Sequence, residues 1–186
     1  MKTTKILVSL ILLILIYFSL SGCSNELAEV KEVTAITDTL PGESAFNVVM
    51  HYSEKGHIQF TLKAEKLDRY STVSPYIEFP NGLHVLFYDS IGGIKSELTA
   101  NYAISYEGKK FMEARDDVVV INHEKNQTLN TEYLQWDQKK HIIFTDVFVK
   151  ITTDEHVIFG KDGFESDEEF NRWTIRTISG KLDVES

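Results

Sequence analysis

The chain has 186 residues, 42% hydrophobic and 25% charged, with a formal net charge of −9. That length supports one domain with a real core, and the acidic balance excludes the basic patch that nucleic acid or an anionic lipid surface needs. With one cysteine, Cys23, no internal disulfide can form.

Lys2 and Lys5 open the chain, an apolar run over residues 6–18 is broken only by Ser9, and Leu20-Ser21-Gly22-Cys23 follows. A basic start, an apolar stretch and small residues before a cysteine resemble a bacterial lipoprotein signal, with Cys23 as the lipidated residue. The run is shorter than the roughly 20 residues a spanning helix needs. Residues 1–22 therefore read as a signal helix and residues 23–45 as a tether, broken at Leu40-Pro41-Gly42. A folded domain is expected over residues 46–186.

From Phe46 onward the apolar period is two. Ile58, Phe60, Leu62 and Ala64 alternate with polar residues, as in a half-buried strand. Residues 67–76 read as a connection, and Pro80-Asn81-Gly82 as a turn. Leu83, Val85 and Phe87 form the next strand, and Gly92-Gly93 turns the chain.

Residues 98–151 are written twice. Leu98-Thr99-Ala100-Asn101-Tyr102 is echoed by Leu129-Asn130-Thr131-Glu132-Tyr133, and each copy has a turn ending in a lysine pair, Lys109-Lys110 and Lys139-Lys140. Asp117 to Ile121 closes the first copy and Asp146 to Ile151 the second. A period near 30 residues with internal turns marks a repeated β-hairpin, which must stack on neighbours to bury its apolar face. Val157 and Phe159 follow. Ser166 to Glu169 reads as an acidic turn with Ser166 as a helical cap, and Trp173, Ile175 and Thr177 as the last strand. Roughly ten short strands with frequent turns predict an all-β domain.

No catalytic or metal-binding constellation stands out. The six histidines lack paired ligand spacing and read as surface or strand-edge residues. Ser166 lies in no nucleophile elbow, and Gly160 to Gly163 is no phosphate loop. Asp116 and Asp117 are adjacent strand residues that point to opposite faces. The chain reads as no enzyme and as having no cofactor.

Tyr76-Ile77-Glu78-Phe79-Pro80-Asn81-Gly82, Ser96-Glu97-Leu98-Thr99-Ala100, residues 129–137 and residues 158–164 together resemble the LptC family, over roughly residues 46–180. These are periplasmic components of the lipopolysaccharide-export ABC transporter, here in the lipid-anchored form of Bacteroidetes-like bacteria. The lipobox replaces the transmembrane helix of the better-known form. The resemblance implies an incomplete, open jelly roll of two facing antiparallel sheets. It also implies a periplasmic, membrane-anchored lipoprotein, with the inner membrane favoured over the outer. Its implied partners are lipopolysaccharide, the inner-membrane transporter subunits and a bridge protein of the same fold. Phe60, Leu62, Val85, Phe87, Val119 and Val149 are the expected groove lining. The inward pair of the first repeat is Asp117 with Val119 or Val118 with Val120, depending on one residue of register, and an offset of 30 that matches Val119 to Val149 selects the former. Trp173, Ile175 and Thr177 are the expected partner edge. The alternative is a lipoprotein assembly module that uses exposed β edges and binds no lipid; a cell-wall polysaccharide enzyme is disfavoured, because no paired carboxylates stand out.

Overall fold

Alternating side chains place apolar residues on one face of each strand, so the chain folds by laying strands side by side over that face. The computed structural model describes residues 40–181; the signal, Cys23 and most of the tether fall outside them. Strand β1 (Glu43–Glu54) begins just before the expected boundary and pairs with β2 (His57–Tyr70). Lys55 and Gly56 close this hairpin with φ of 51° and 84°, the turn whose twist matches that of its strands.

The remaining strands are β3 (Tyr76–Phe79), β4 (Leu83–Tyr88), β5 (Ile94–Ala100), β6 (Tyr102–Tyr106), β7 (Phe111–Asn122), β8 (Gln127–Asp137), β9 (Ile142–Thr145) and β10 (Val149–Thr152). After them come β11 (Val157–Gly160), β12 (Phe164–Asp167), β13 (Trp173–Ile175) and β14 (Ile178–Lys181). The all-β expectation holds, in one antiparallel sheet of fourteen strands where roughly ten were expected. Several expected boundaries shift. Residues 67–70 continue β2 instead of starting a connection. Residues 146–148 interrupt the strand expected from Asp146 to Ile151. Ser166 lies in β12 and caps no helix, and Thr177 falls in the bend before β14.

The sheet is a meander of long ribbons that all change neighbour at one line. In β2, residues 60–63 pair with β4 and residues 68–70 with β3. In β7, residues 111–115 pair with β6 and residues 119–122 with β5, while β8 pairs along both halves. In β8, the first half pairs with β10 and the second with β9. This line divides the sheet into a first arm (β4, β5, β10, β11, β14) and a second arm (β3, β6, β9, β12, β13), with β1, β2, β7 and β8 running through both.

Local chemistry marks the line. Gly82 has φ of 80°, and a Cβ there would lie 2.3 Å from the Ala100 carbonyl oxygen, so only glycine fits. The Asn101 N–H donates to the Asp116 carbonyl at 2.9 Å. Asp116 and Asp117 both take left-handed φ, 61° and 53°, at a bulge in the β7–β8 ladder. They sit as a kink, exposed on both sides of the bend, rather than as alternating strand residues.

The sequence repeat is structural. Leu98 faces Val120 across β5 and β7, and Leu129 faces Ile151 across β8 and β10. Lys110 and His141 end the two internal turns with φ of 52° and 56°. Each of these correspondences is an offset of 31 positions. Inward side chains of both arms join in one apolar cluster.

Candidate functional site

The inward face of the first arm carries one unbroken apolar row. Leu62 faces Val85, Val85 faces Leu98, and Leu98 faces Val120. Val120 faces Leu129, Leu129 faces Ile151, and Ile151 faces Ile158. Seven strands supply one residue each, because in-register antiparallel ladders align side chains of the same parity. At the usual strand spacing the row is roughly 29 Å long. All but Ile158 are buried.

At the β2 end, aromatic rings join the two arms. Trp136 of β8 stands 5.2 Å from Phe60 and 5.4 Å from Phe87, ring centre to ring centre, both edge to face. Tyr52 of β1 stacks on Phe60 at 5.0 Å. Tyr52 and Met50 pair with the inward residues Phe60 and Leu62 yet stay exposed. The interior is therefore thinly covered along β1, whose outer flank pairs with no other described strand.

A rim within reach of Trp136 is closed by the turn between β12 and β13. Phe170 in that turn is 0% exposed and packs edge to face on Phe164 at 5.8 Å. From the first arm, the Asn122 side-chain amide donates to the carbonyls of Glu169 (3.0 Å) and Phe170 (3.3 Å). Lys95 Nζ meets Glu169 Oε2 at 2.6 Å, and this bond to the carboxylate raises the lysine pKa. Trp173 Nε1 donates to Gln127 Oε1 at 3.2 Å. From the second arm, Trp136 Nε1 donates to Glu168 Oε2 at 2.9 Å and His141 Nδ1 meets Glu168 Oε1 at 2.8 Å. Hydrogen bonding to Glu168, then its charge, raises the His141 pKa.

Of the expected lining residues, Leu62, Val85, Phe87 and Val149 are buried and Phe60 half-buried, all on the inward face. Val119 is placed otherwise. It lies half-buried on the outer face, between inward Val118 and Val120. The structural offset of 31, not 30, makes Val118 the counterpart of Val149, and the two flank Thr131 from opposite strands. Trp173 and Ile175 lie in β13, which pairs only with β12 among the described strands; Thr177 lies beyond it. Histidines on the outer side pair with carboxylates: His84 and His123 share Glu97, at 2.5 and 3.1 Å. Among the described residues no cluster of His, Cys, Asp and Glu could hold a metal ion.

A family profile described as "Lipopolysaccharide-assembly, LptC-related" matches residues 6–169. The chain belongs to the LptC family. A comparison with curated proteins returns no match. LptC proteins are non-catalytic, periplasmic, membrane-anchored components of lipopolysaccharide export. Membership thus places this chain in the export pathway and in contact with its machinery.

Sequence reasoning missed Trp136, Asn122 and Phe170. Leu134 and Trp136 alternate with polar neighbours, which was signal enough to place Trp136 inward. Nothing local distinguishes Phe170, set in an acidic run, from a solvated turn residue.

Proposed function

We propose that this LptC-family chain is a lipid-anchored relay for lipopolysaccharide, attached through Cys23 to the inner membrane. In this reading the bend divides the sheet into the two facing layers of an open jelly roll. Acyl chains lie between the layers, and lipopolysaccharide passes from the transporter subunits to a bridge protein of similar fold. The observation that carries it is the seven-strand apolar row, with the aromatic rings of Tyr52, Phe60, Phe87 and Trp136 at its thinly covered end. Such a surface binds alkyl chains without polar chemistry, at about 25 cal/mol for each Å² buried, and an acidic protein has no general charge attraction for a phosphorylated glycolipid. Phe60, Leu62, Val85, Phe87 and Val149 would line the path, with Val118 in the place first given to Val119. Free strands at either end suit sheet-to-sheet joining.

A second reading, an assembly module that binds no lipid, is favoured by the close filling of the interior, where Val85, Val118, Leu129, Val149 and Ile151 have no exposure at all. One experiment separates them. A photo-crosslinking phenylalanine at Phe60, in the full chain in cells, is expected to capture lipopolysaccharide. The same group at outward Val119 is expected to stay silent. A folded Phe60 variant that captures none, with edge-dependent partner binding intact, establishes the second reading.

A further inference from the structure

The interior that would hold acyl chains is closed at one rim by a single short segment, residues 168–172, between β12 and β13. Its grip on the first arm is almost wholly polar. Asn122 donates to two of its carbonyls, Lys95 pairs with Glu169, and Lys125 Nζ donates to the Asn171 carbonyl. One side chain of the segment, Phe170, enters the apolar cluster. A seal of this kind can be undone bond by bond in water, whereas an apolar ladder cannot.

Three observations set this rim apart. Phe170 has φ of 55°, a left-handed conformation unfavourable for a bulky residue. The Ser96 hydroxyl, on the strand beside Asn122, is fully buried with no hydrogen-bond partner. So is the Ser166 hydroxyl, just before the segment. The left-handed Phe170 disfavours the closed state directly, and the two unpaired hydroxyls lie in the strands that border the segment, β5 and β12. Directly outside lies a cavity of about 620 Å³, lined by Glu54, Gln59, Asp89, Glu124 and the Lys95–Glu169 pair itself. The pair thus lines an open pocket beside the segment, on the outward parity of β5.

We propose that residues 168–172 are a strap that swings off the first arm to admit an acyl chain, with Phe170 as the plug that the chain displaces. This rests on the lipid-relay reading above. It explains how a filled interior and a chain-binding role coexist: the plug and the chain compete for one place. Asn122 and Lys95 then set how often the strap opens.

The test uses the full chain in detergent, purified rough lipopolysaccharide as probe, and hydrogen exchange read by mass spectrometry. Asn122→Ala and Lys95→Met, singly and together, are expected to raise strap exchange several-fold. They leave exchange in β2, β4, β5 and β8 unchanged. Saturating lipopolysaccharide is expected to deprotect the strap of the native chain in the same way and to shift Trp136 fluorescence as Glu168 leaves it. Capture at a crosslinker placed on Phe60 should rise with strap opening across the variants. Should Asn122→Ala fail to fold, Lys95→Met with Glu169→Gln breaks one contact at the surface and carries the same expectation. Lipid captured equally by native and loosened chains, with strap amides still protected, overturns the strap and leaves the relay standing. Lipid captured by none of them overturns both.

Discussion

Lys110 and His141 occupy the same place in the two repeats, each in a left-handed conformation that ends a turn, but only His141 can titrate near neutrality. Its ring meets Glu168, whose other oxygen accepts from Trp136. The carboxylate therefore links a turn, the aromatic contact between the arms and the closing segment. The Glu168 hydrogen bond and charge raise the His141 pKa above its ordinary 6.5, outweighing burial. A histidine raised on folding stabilises the fold fully below the unfolded value, and loses that contribution as pH climbs through the folded one. The native chain should therefore lose thermal stability relative to His141→Asn as pH rises above 6.5, and the two should run parallel once the ring is neutral. Melting curves at low ionic strength on both sides of 6.5 check this, because His141 is largely exposed and salt screens the pair. A gap between the two proteins that does not change with pH would remove His141 from the account. Asp68 has the opposite sign. Lys66 and then Ser44 hold its carboxyl below the usual value, so its contribution is present above about 3.8 and fades only as pH falls through the lowered one.

The terminal ribbon illustrates how much of an element depends on which of its N–H groups are free. Asp167 N–H donates to the Arg172 carbonyl, and Arg176 N–H to the Gly163 carbonyl. In an antiparallel ladder bonded residues alternate, so Thr174 bonds to Glu165 while the N–H groups of Trp173 and Ile175 point to the open flank. Proline at Ile175 removes one of those donors without breaking the β12–β13 ladder. It also removes a side chain that packs on Gly160, so Ile175→Ala is the control that loses packing and keeps the donor. If β13 is the joint of the relay proposed above, Ile175→Pro weakens binding to the proposed bridge protein about tenfold and Ile175→Ala far less; equal binding by the two folded variants would move the joint to another edge, of which β1 is the longest. Strand existence was legible because one buried face forces period-two alternation, as in residues 58–64 and 83–87. Register was less so. Matching Asp116 with Asp146 set the repeat one residue short, and in a strand one residue exchanges the faces, which put Val119 where Val118 stands. The approach of Trp136 to Phe60 was not legible at all, since it depends on a bend set by Gly82 and by the left-handed Asp116 and Asp117. Left-handed aspartates leave no pattern that separates them from ordinary strand-edge acids.

Taken as one body, the chain combines an acidic domain, an apolar interior and free strands at both ends of one sheet. Its net charge of −9 repels an anionic membrane surface, and among the described residues no helix is long and apolar enough to cross a bilayer. In the lipid-anchored reading proposed above, position at the membrane comes from a covalent anchor on Cys23, the single thiol of the sequence. Between Cys23 and the start of β1 at Glu43 lie about 20 residues, which extend to at most about 70 Å. With an anchor at Cys23, that reach would let the domain meet a transporter beside it while staying clear of like-charged headgroups, over which repulsion decays within a few Debye lengths of about 8 Å each. A single acyl chain holds a protein only marginally, so durable attachment needs more than one. A diacylglycerol on the Cys23 sulfur would meet that need. Cys23→Ser is expected to abolish incorporation of a labelled fatty-acid analogue and to leave an uncleaved precursor. Fractionation alone does not decide the matter, because an uncleaved apolar leader still partitions into the membrane. The label does decide: fatty acid found on the Cys23→Ser chain would show that the anchor is elsewhere, and the lipoprotein assignment would fall.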